Sequence, residues 1–325
     1  MRFSTFSKFV IAVLSCILIA SCSSNTADTS SNTAAESTHQ TITYNKDFDT
    51  AYSNEQYPAI IELYKDVQPE YTSGIEHEEI YDEKEGLVRD VTKPILYAFK
   101  ASSPNGYGVI ILPGGGYYGV AMQREGFDVA KWFNDRGVSA FVLKYRMPNK
   151  VHQIPLEDVE RSYDIIKELA GEYGLDISKV GVFGSSAGGH LAASYSIYSK
   201  NEGVPAFAIL LYPAISFDMQ IANVISSRKN LIGDLENGHP LEIQYSLEKH
   251  VSSNTPPTFI VAAFDDKVVP LEHSIWYFNS LLKNNVKTAL HIYPEGGHGF
   301  GMNDFKYKED FLYDLDSWLK KEIIK

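Results

Sequence analysis

The stretch that most constrains this chain is Gly184-Ser185-Ser186-Ala187-Gly188. Before it runs Lys179-Val180-Gly181-Val182-Phe183, short, apolar and rich in valine, which predicts a buried strand. After it runs Gly189-His190-Leu191-Ala192-Ala193-Ser194-Tyr195, which predicts the start of a helix. A G-x-S-x-G therefore sits where a strand turns sharply into a helix. In that setting the serine backbone is strained, and the flanking glycines let a strand and a helix approach closely. Ser186 is expected to present its hydroxyl over the end of a sheet. The pattern is loose and also occurs in ordinary loops, so the rest of the chain has to decide.

The periodicity on either side predicts alternating strands and helices joined by short links. Strands are expected over residues 93–99, 107–112, 138–145, 206–212, 257–264 and 287–293. Helices are expected over residues 125–134, 156–173, 274–282 and 308–324. Such alternation predicts a mostly parallel central sheet with helices on both faces. Residues 213–255 break the pattern. They are polar and weakly periodic, and are expected to form an insertion over the C-terminal edge of the sheet with little apolar surface to offer.

The N-terminus reads as an export segment. Arg2 and Lys8 precede an apolar run too short for a permanent span, ending Leu18-Ile19-Ala20-Ser21-Cys22. This resembles a bacterial lipobox, which implies lipidation at Cys22 and an exported, envelope-anchored protein. Residues 1–21 are the expected signal peptide, and residues 22–56, rich in Ser, Thr, Asn and Ala, the expected flexible tether. Residues 57–325 are the expected catalytic domain. The two cysteines are Cys16 and Cys22, so no internal disulfide is expected in the mature chain. The formal net charge of −12 argues against nucleic acid and anionic membrane surfaces as partners, and leaves the lipid as the only membrane contact. Nothing in the sequence addresses the oligomeric state.

A serine hydroxyl needs a base, an acid to orient that base, and donors for the developing oxyanion. The base is expected to be His298, in Glu295-Gly296-Gly297-His298-Gly299-Phe300, after the last strand and before the closing helix. His190 lies on the helix after the serine, near the site without being its base. The orienting acid is Asp265 or Asp266, both directly after a strand. Asp266 is favoured because Asp266-Lys267-Val268-Val269-Pro270 has a familiar spacing. The donors are expected from Ala187 and from Gly115 and Gly116 in Pro113-Gly114-Gly115-Gly116-Tyr117-Tyr118. Tyr117 and Tyr118 are expected beside the donors as walls for substrate. Gly114, Gly116 and Gly119 also satisfy G-x-G-x-x-G, but the next strand ends Leu143-Lys144-Tyr145-Arg146 without the acid a dinucleotide ribose requires. No metal-ligand spacing stands out.

Together these residues resemble the α/β-hydrolase esterases, in particular carbohydrate esterases acting on xylan: the acetyl xylan and feruloyl esterases of the hormone-sensitive-lipase-like and prolyl-oligopeptidase-like groups. The resemblance is carried by Val91-Thr92-Lys93-Pro94 and by residues 112–117, 143–148, 184–192, 255–259, 265–270 and 293–301, in the family order. It implies an α/β-hydrolase fold, a Ser186–His298–Asp266 acyl-enzyme mechanism on an acylated carbohydrate, and no cofactor. Pro113 departs from the family, standing where many members carry a histidine that steadies the glycine loop. A feruloyl esterase, a prolyl-oligopeptidase-like peptidase and a non-catalytic binding protein on the same fold are the alternatives. The peptidases usually carry a large propeller, for which about 70 residues before Pro94 leave no room. The binding protein would have a broken triad.

Overall fold

In a computed structural model the described residues are 58–201, 205–222, 224–303 and 305–324. The expected signal peptide, the tether and Cys22 lie outside them.

The strands are β1 (Ala59–Glu62), β2 (Ile80–Asp82), β3 (Leu87–Arg89), β4 (Ile95–Phe99), β5 (Gly106–Leu112), β6 (Gly119–Val120), β7 (Ser139–Lys144), β8 (Leu175–Ser185), β9 (Ala208–Leu211), β10 (Thr258–Ala263) and β11 (Thr288–Tyr293). Eight form one sheet in the order β1-β4-β7-β5-β8-β9-β10-β11. From β7 to β11 every pairing is parallel, while β4 runs antiparallel to both its neighbours. The central strands are buried throughout, as Val109, Ile110, Ile111 and Leu112 on β5 show. That is why they read as continuous apolar runs rather than as alternation. β8 starts four residues before the expected strand. Its first half alternates in burial, with Leu175 and Ile177 half-buried, because it projects beyond the core.

The helices are α1 (Asp128–Asn134), α2 (Ile154–Tyr173), α3 (Ala187–Tyr198), α4 (Ile225–Ile232), α5 (Pro240–Gln244), α6 (Glu272–Lys283) and α7 (Lys308–Trp318). They flank a mostly parallel sheet on both sides, the architecture the α/β alternation predicts. The helix expected from residue 125 is a π-turn over Gln123–Phe127 that leads into α1, and α7 likewise gives way to a π-turn at Leu319–Ile323.

Two features differ from expectation. β2, β3 and β6 form a separate antiparallel sheet beside the glycine loop, built from very short strands with no readable period. Residues 213–255 carry α4 and α5, tied together by a buried Arg228–Glu242 ion pair at 2.6 Å. The shortness of α4 and α5 weakens the helical period in this segment.

Candidate active site

The centre of the site is built by backbone strain. β8 ends at Ser185 and α3 begins at Ala187, leaving Ser186 at φ 54°, ψ −119°. A non-glycine residue there costs on the order of 1–3 kcal/mol and needs surrounding structure to hold it. Three backbone hydrogen bonds do so: Ser186 N–H donates to Leu211 O at 2.9 Å, and Ser186 O accepts from His190 N at 3.0 Å and Ala214 N at 3.1 Å. The glycines are required by close approach. A Cβ on Gly184 would sit 2.2 Å from Gly188 O, and one on Gly188 would sit 2.0 Å from Leu112 O.

His298 reaches Ser186 from the far end of the sheet. It follows Gly297 at φ 60° and precedes Gly299 at φ 76°, a pair of left-handed turns that aim the imidazole inward. His298 Nε2 lies 2.8 Å from Ser186 Oγ, and His298 Nδ1 lies 2.7 Å from Asp266 Oδ2. Asp266 Oδ1 accepts the N–H groups of Val268 at 2.8 Å and Val269 at 2.9 Å, and its side chain is 1% exposed. Of the two aspartates left open, Asp266 therefore faces the imidazole. Asp265 instead accepts the Gly297 N–H at 2.7 Å and holds the histidine loop.

The glycine loop lies across from them. Gly115 takes φ 137° and Gly116 φ 65°; a Cβ on Gly115 would sit 2.1 Å from Gly119 O. Among the described residues no acceptor takes the N–H of Gly115, Gly116 or Ala187. The Gly114 N–H is not free in this way, since it donates to Glu125 Oε2 at 2.7 Å. The hydrogen bond lost by having Pro113 in place of histidine is made up from elsewhere, with Tyr145 Oη donating to Pro113 O at 2.8 Å.

Glu125 was not foreseen from the sequence. It is 3% exposed, and besides Gly114 it accepts from Tyr212 Oη at 2.8 Å; that hydroxyl in turn accepts the Gly301 N–H at 2.9 Å. One carboxylate thus links the glycine loop to the end of β9 and to the histidine loop. The Tyr212 ring also packs edge-on to His298, with centroids 4.9 Å apart. The helical spacing around Glu125 carries no sign that its carboxylate turns inward.

The expectation for Tyr117 and Tyr118 is corrected. Tyr117 is 2% exposed at φ 56°, and its hydroxyl bonds His190 Nδ1 at 2.9 Å, so it belongs to the core. Tyr118 turns outward, with Arg89 hydrogen-bonded to its hydroxyl and 5.1 Å from its ring, on a neighbouring depression. Neither lines the Ser186 cavity. Adjacent residues on this tight turn point apart, and the left-handed Tyr117 backbone sends its ring beneath the loop. His190 is fully buried, stacked on Phe217 at 4.3 Å, and burial pushes its pKa down to about 4. It is a neutral scaffold group, Nε2–H donating to Tyr245 O at 3.0 Å and Nδ1 accepting from Tyr117.

Ser186, His298, Gly115 and Gly116 open onto one cavity of about 720 Å³. The insertion contributes Val224 and Ile225 to its wall together with Ser226, Ser227 and Lys229, and Val268 and Val269 also line it. The insertion's share of the wall is thus mixed, two aliphatic side chains beside two serines and a lysine. Of the insertion's charges Arg228 is drawn into a buried pair with Glu242, while Lys229, paired only with the exposed Asp234, stays on the wall. Among the described residues no cluster of three or more His, Cys, Asp or Glu could hold a metal ion.

The chain is 37% identical over 235 residues to an acetylxylan esterase of Xylanibacter ruminicola, covering 71% of this chain and 49% of that protein. It is 35% identical over 207 residues to endo-1,4-beta-xylanase B of Butyrivibrio fibrisolvens, covering 59% of this chain and 32% of that protein. It thus spans about half or less of the length of these relatives. The solved structure of an acetyl ester-xyloside bifunctional hydrolase from Caldicellulosiruptor lactoaceticus matches with a TM-score of 0.66 and 31% identity, covering 81% of this chain and 96% of that one. Residues 109–302, which contain the strained serine, both aspartates and the histidine loop, match the family model described as alpha/beta hydrolase fold, and the chain belongs to that family.

Proposed function

We propose that this protein is a serine esterase that removes short acyl groups, acetyl foremost, from a xylan-type carbohydrate. One observation carries the reading: an unbroken Asp266–His298–Ser186 hydrogen-bonded chain, at 2.7 and 2.8 Å, opens onto a cavity that also holds Gly115 and Gly116. Similarity to an acetylxylan esterase, a xylanase and an acetyl ester-xyloside hydrolase supports the ester and the sugar.

The steps follow from the geometry. With Asp266 accepting from Nδ1–H, His298 presents an unprotonated Nε2 to the serine hydroxyl. Ser186 Oγ attacks the acyl carbonyl as Nε2 takes its proton. The carbonyl oxygen becomes an oxyanion held by the N–H groups of Gly115, Gly116 and Ala187. His298 gives the proton to the departing sugar oxygen as the ester C–O bond breaks, and the sugar leaves with a free hydroxyl. A water molecule then loses a proton to His298 and attacks the acyl-serine, and His298 returns that proton to Ser186 Oγ as the acyl–oxygen bond breaks and the acid leaves. No cofactor enters. Anchorage to the bacterial envelope through lipidated Cys22 is proposed on Ile19-Ala20-Ser21-Cys22, and mass spectrometry of the membrane-derived N-terminal peptide tests it.

The test is a hydrolysis panel of 4-nitrophenyl esters from acetyl to octanoyl, methyl ferulate, acetylated xylo-oligosaccharides and an anilide. Acetate release from the oligosaccharides is expected, together with loss of about 10⁴-fold or more in kcat for Ser186→Ala. With acetyl the preferred group, kcat/KM is expected to fall along the series from acetyl to octanoyl. A rise toward octanoyl, or no acetate from any acetylated sugar, rejects the carbohydrate-esterase reading.

A further inference from the structure

One cation on the wall of this cavity has no partner among the described residues. Arg89, Arg136, Arg146, Arg161 and Arg228 each engage an acceptor in the protein. Arg124 alone among the described arginines engages none through its side chain, and its Nε is shut off from solvent. Its neighbour Glu125 does not neutralise it through an ion pair, because that carboxylate is turned to Gly114 and Tyr212. A half-buried guanidinium loses hydration on folding, and here no acceptor among the described residues compensates for that loss.

The position of Arg124 indicates which part of a substrate it meets. Arg124 lines the same cavity as Ser186 and His298, and a Cβ on Gly299 would lie 3.9 Å from Arg124 Nη2. Arg124 therefore flanks the histidine loop. In ester cleavage the imidazole hands its proton to the departing alcohol oxygen, so the alcohol part of the ester must lie on that side. The carbonyl oxygen lies toward Gly115 and Gly116. Lys229, from α4, lines the same cavity and holds only an exposed partner, Asp234. The opposing charges on the wall are Glu125, whose Oε1 would lie 3.8 Å from the same Cβ on Gly299 but is engaged by the Tyr212 hydroxyl, and Glu85, on the exposed turn between β2 and β3. The guanidinium fork matches a carboxylate in two parallel hydrogen bonds.

We propose that Arg124 is an anion-recognising subsite, and that the preferred substrate is an acyl ester whose alcohol part carries a carboxylate, as in a sugar oligomer substituted with a uronic acid. This rests on the esterase reading of the Ser186 site.

The experiment starts with 4-nitrophenyl acetate on the wild-type protein; failure to hydrolyse it overturns the esterase reading itself. The next substrates are 3-acetoxybenzoate against its neutral isostere 3-acetoxybenzamide, and acetylated xylo-oligosaccharides with and without a uronic acid branch. A charge-assisted contact predicts a kcat/KM ratio of about tenfold or more in favour of the acidic partner of each pair. The ratio is expected to collapse to about one in Arg124→Gln and to be partly kept in Arg124→Lys. A carboxylate on the acyl side, tested with 4-nitrophenyl hemisuccinate against 4-nitrophenyl butanoate, is expected to confer no advantage. Should Arg124→Gln not fold, competitive inhibition of the wild-type protein by benzoate against benzamide replaces it, with benzoate expected to bind more tightly. A wild-type ratio of one or below, a ratio unmoved by Arg124→Gln, equal inhibition by both compounds, or an advantage confined to the acyl-side carboxylate overturns the proposal.

Discussion

Replacing Asp266 by asparagine tests the orientation of the imidazole without removing any atom that packs. The structure dictates how the amide would sit. Asp266 Oδ1 accepts two backbone N–H groups, from Val268 and Val269, and Oδ2 faces His298 Nδ1. The amide oxygen must take the Oδ1 place, because an NH₂ there would leave two donors facing donors. Leaving a buried N–H without an acceptor costs about 1–3 kcal/mol, so the wrong orientation is disfavoured by about 2–6 kcal/mol. At 1% exposure of that side chain, no solvent relieves the cost. The NH₂ group then points at Nδ1 and forces it to act as an acceptor. Nε2 becomes the protonated nitrogen, and it can no longer take the proton of Ser186. In a serine hydrolase that keeps its geometry, this change of tautomer lowers kcat about 10⁴-fold, or about 5 kcal/mol of barrier. The fold should be nearly undisturbed, since both backbone donors keep their acceptor. Asp265→Asn retains an oxygen for the Gly297 N–H and should cost less than about tenfold. The assay is kcat on 4-nitrophenyl acetate for both variants, with thermal melting as the check on folding. A folded Asp266→Asn protein above a tenth of wild-type activity, or a greater loss in Asp265→Asn, refutes the reasoning.

Glu125→Ala leaves the Gly114 N–H and the Tyr212 hydroxyl without their acceptor, so stability should drop by about 2–6 kcal/mol, and kcat should fall more than KM rises, because the loop bearing the oxyanion donors loosens. Recovery of most of the lost kcat in Glu125→Gln, which keeps an acceptor for Gly114, is the accompanying expectation; an unchanged kcat in Glu125→Ala contradicts it. His190 and His273 both have pKa values pushed down to about 4 by burial, against about 6.5 when unfolded. The folded state therefore binds fewer protons than the unfolded chain, and the stability present above pH 6.5 is lost as pH falls toward 4, by about 3 kcal/mol for each histidine at the full shift. Thermal melts across that window should decline, and both imidazoles should stay neutral by NMR down to about pH 4; titration of either near 6.5 would contradict this.

The elbow, the chain order of serine, acid and histidine, and the parallel sheet were legible in the sequence because each is local. A buried strand declares itself by a run such as Val109-Ile110-Ile111-Leu112, and a left-handed turn by glycines such as Gly297 and Gly299. The positions of the loops then follow from the strands that carry them. What lay beyond the sequence concerns which way a side chain turns once distant segments meet. Asp265 and Asp266 are neighbours, and only the turn after β10 decides that the second faces His298. In sequence Tyr117 and Tyr118 form an adjacent pair, but the left-handed backbone at Tyr117 buries one ring against His190 and leaves the other outside the cavity. Glu125 and Arg124 sit on a stretch whose spacing speaks only of a helix. One is drawn into the core by Gly114 and Tyr212, and the other is left unpaired on the cavity wall. The β2-β3-β6 sheet is made of strands two or three residues long, too short to show a period. Periodicity and turn chemistry act over a few residues and so are written in the sequence. The partner of a buried carboxylate or guanidinium depends on contacts across the chain, and only the packed structure determines it.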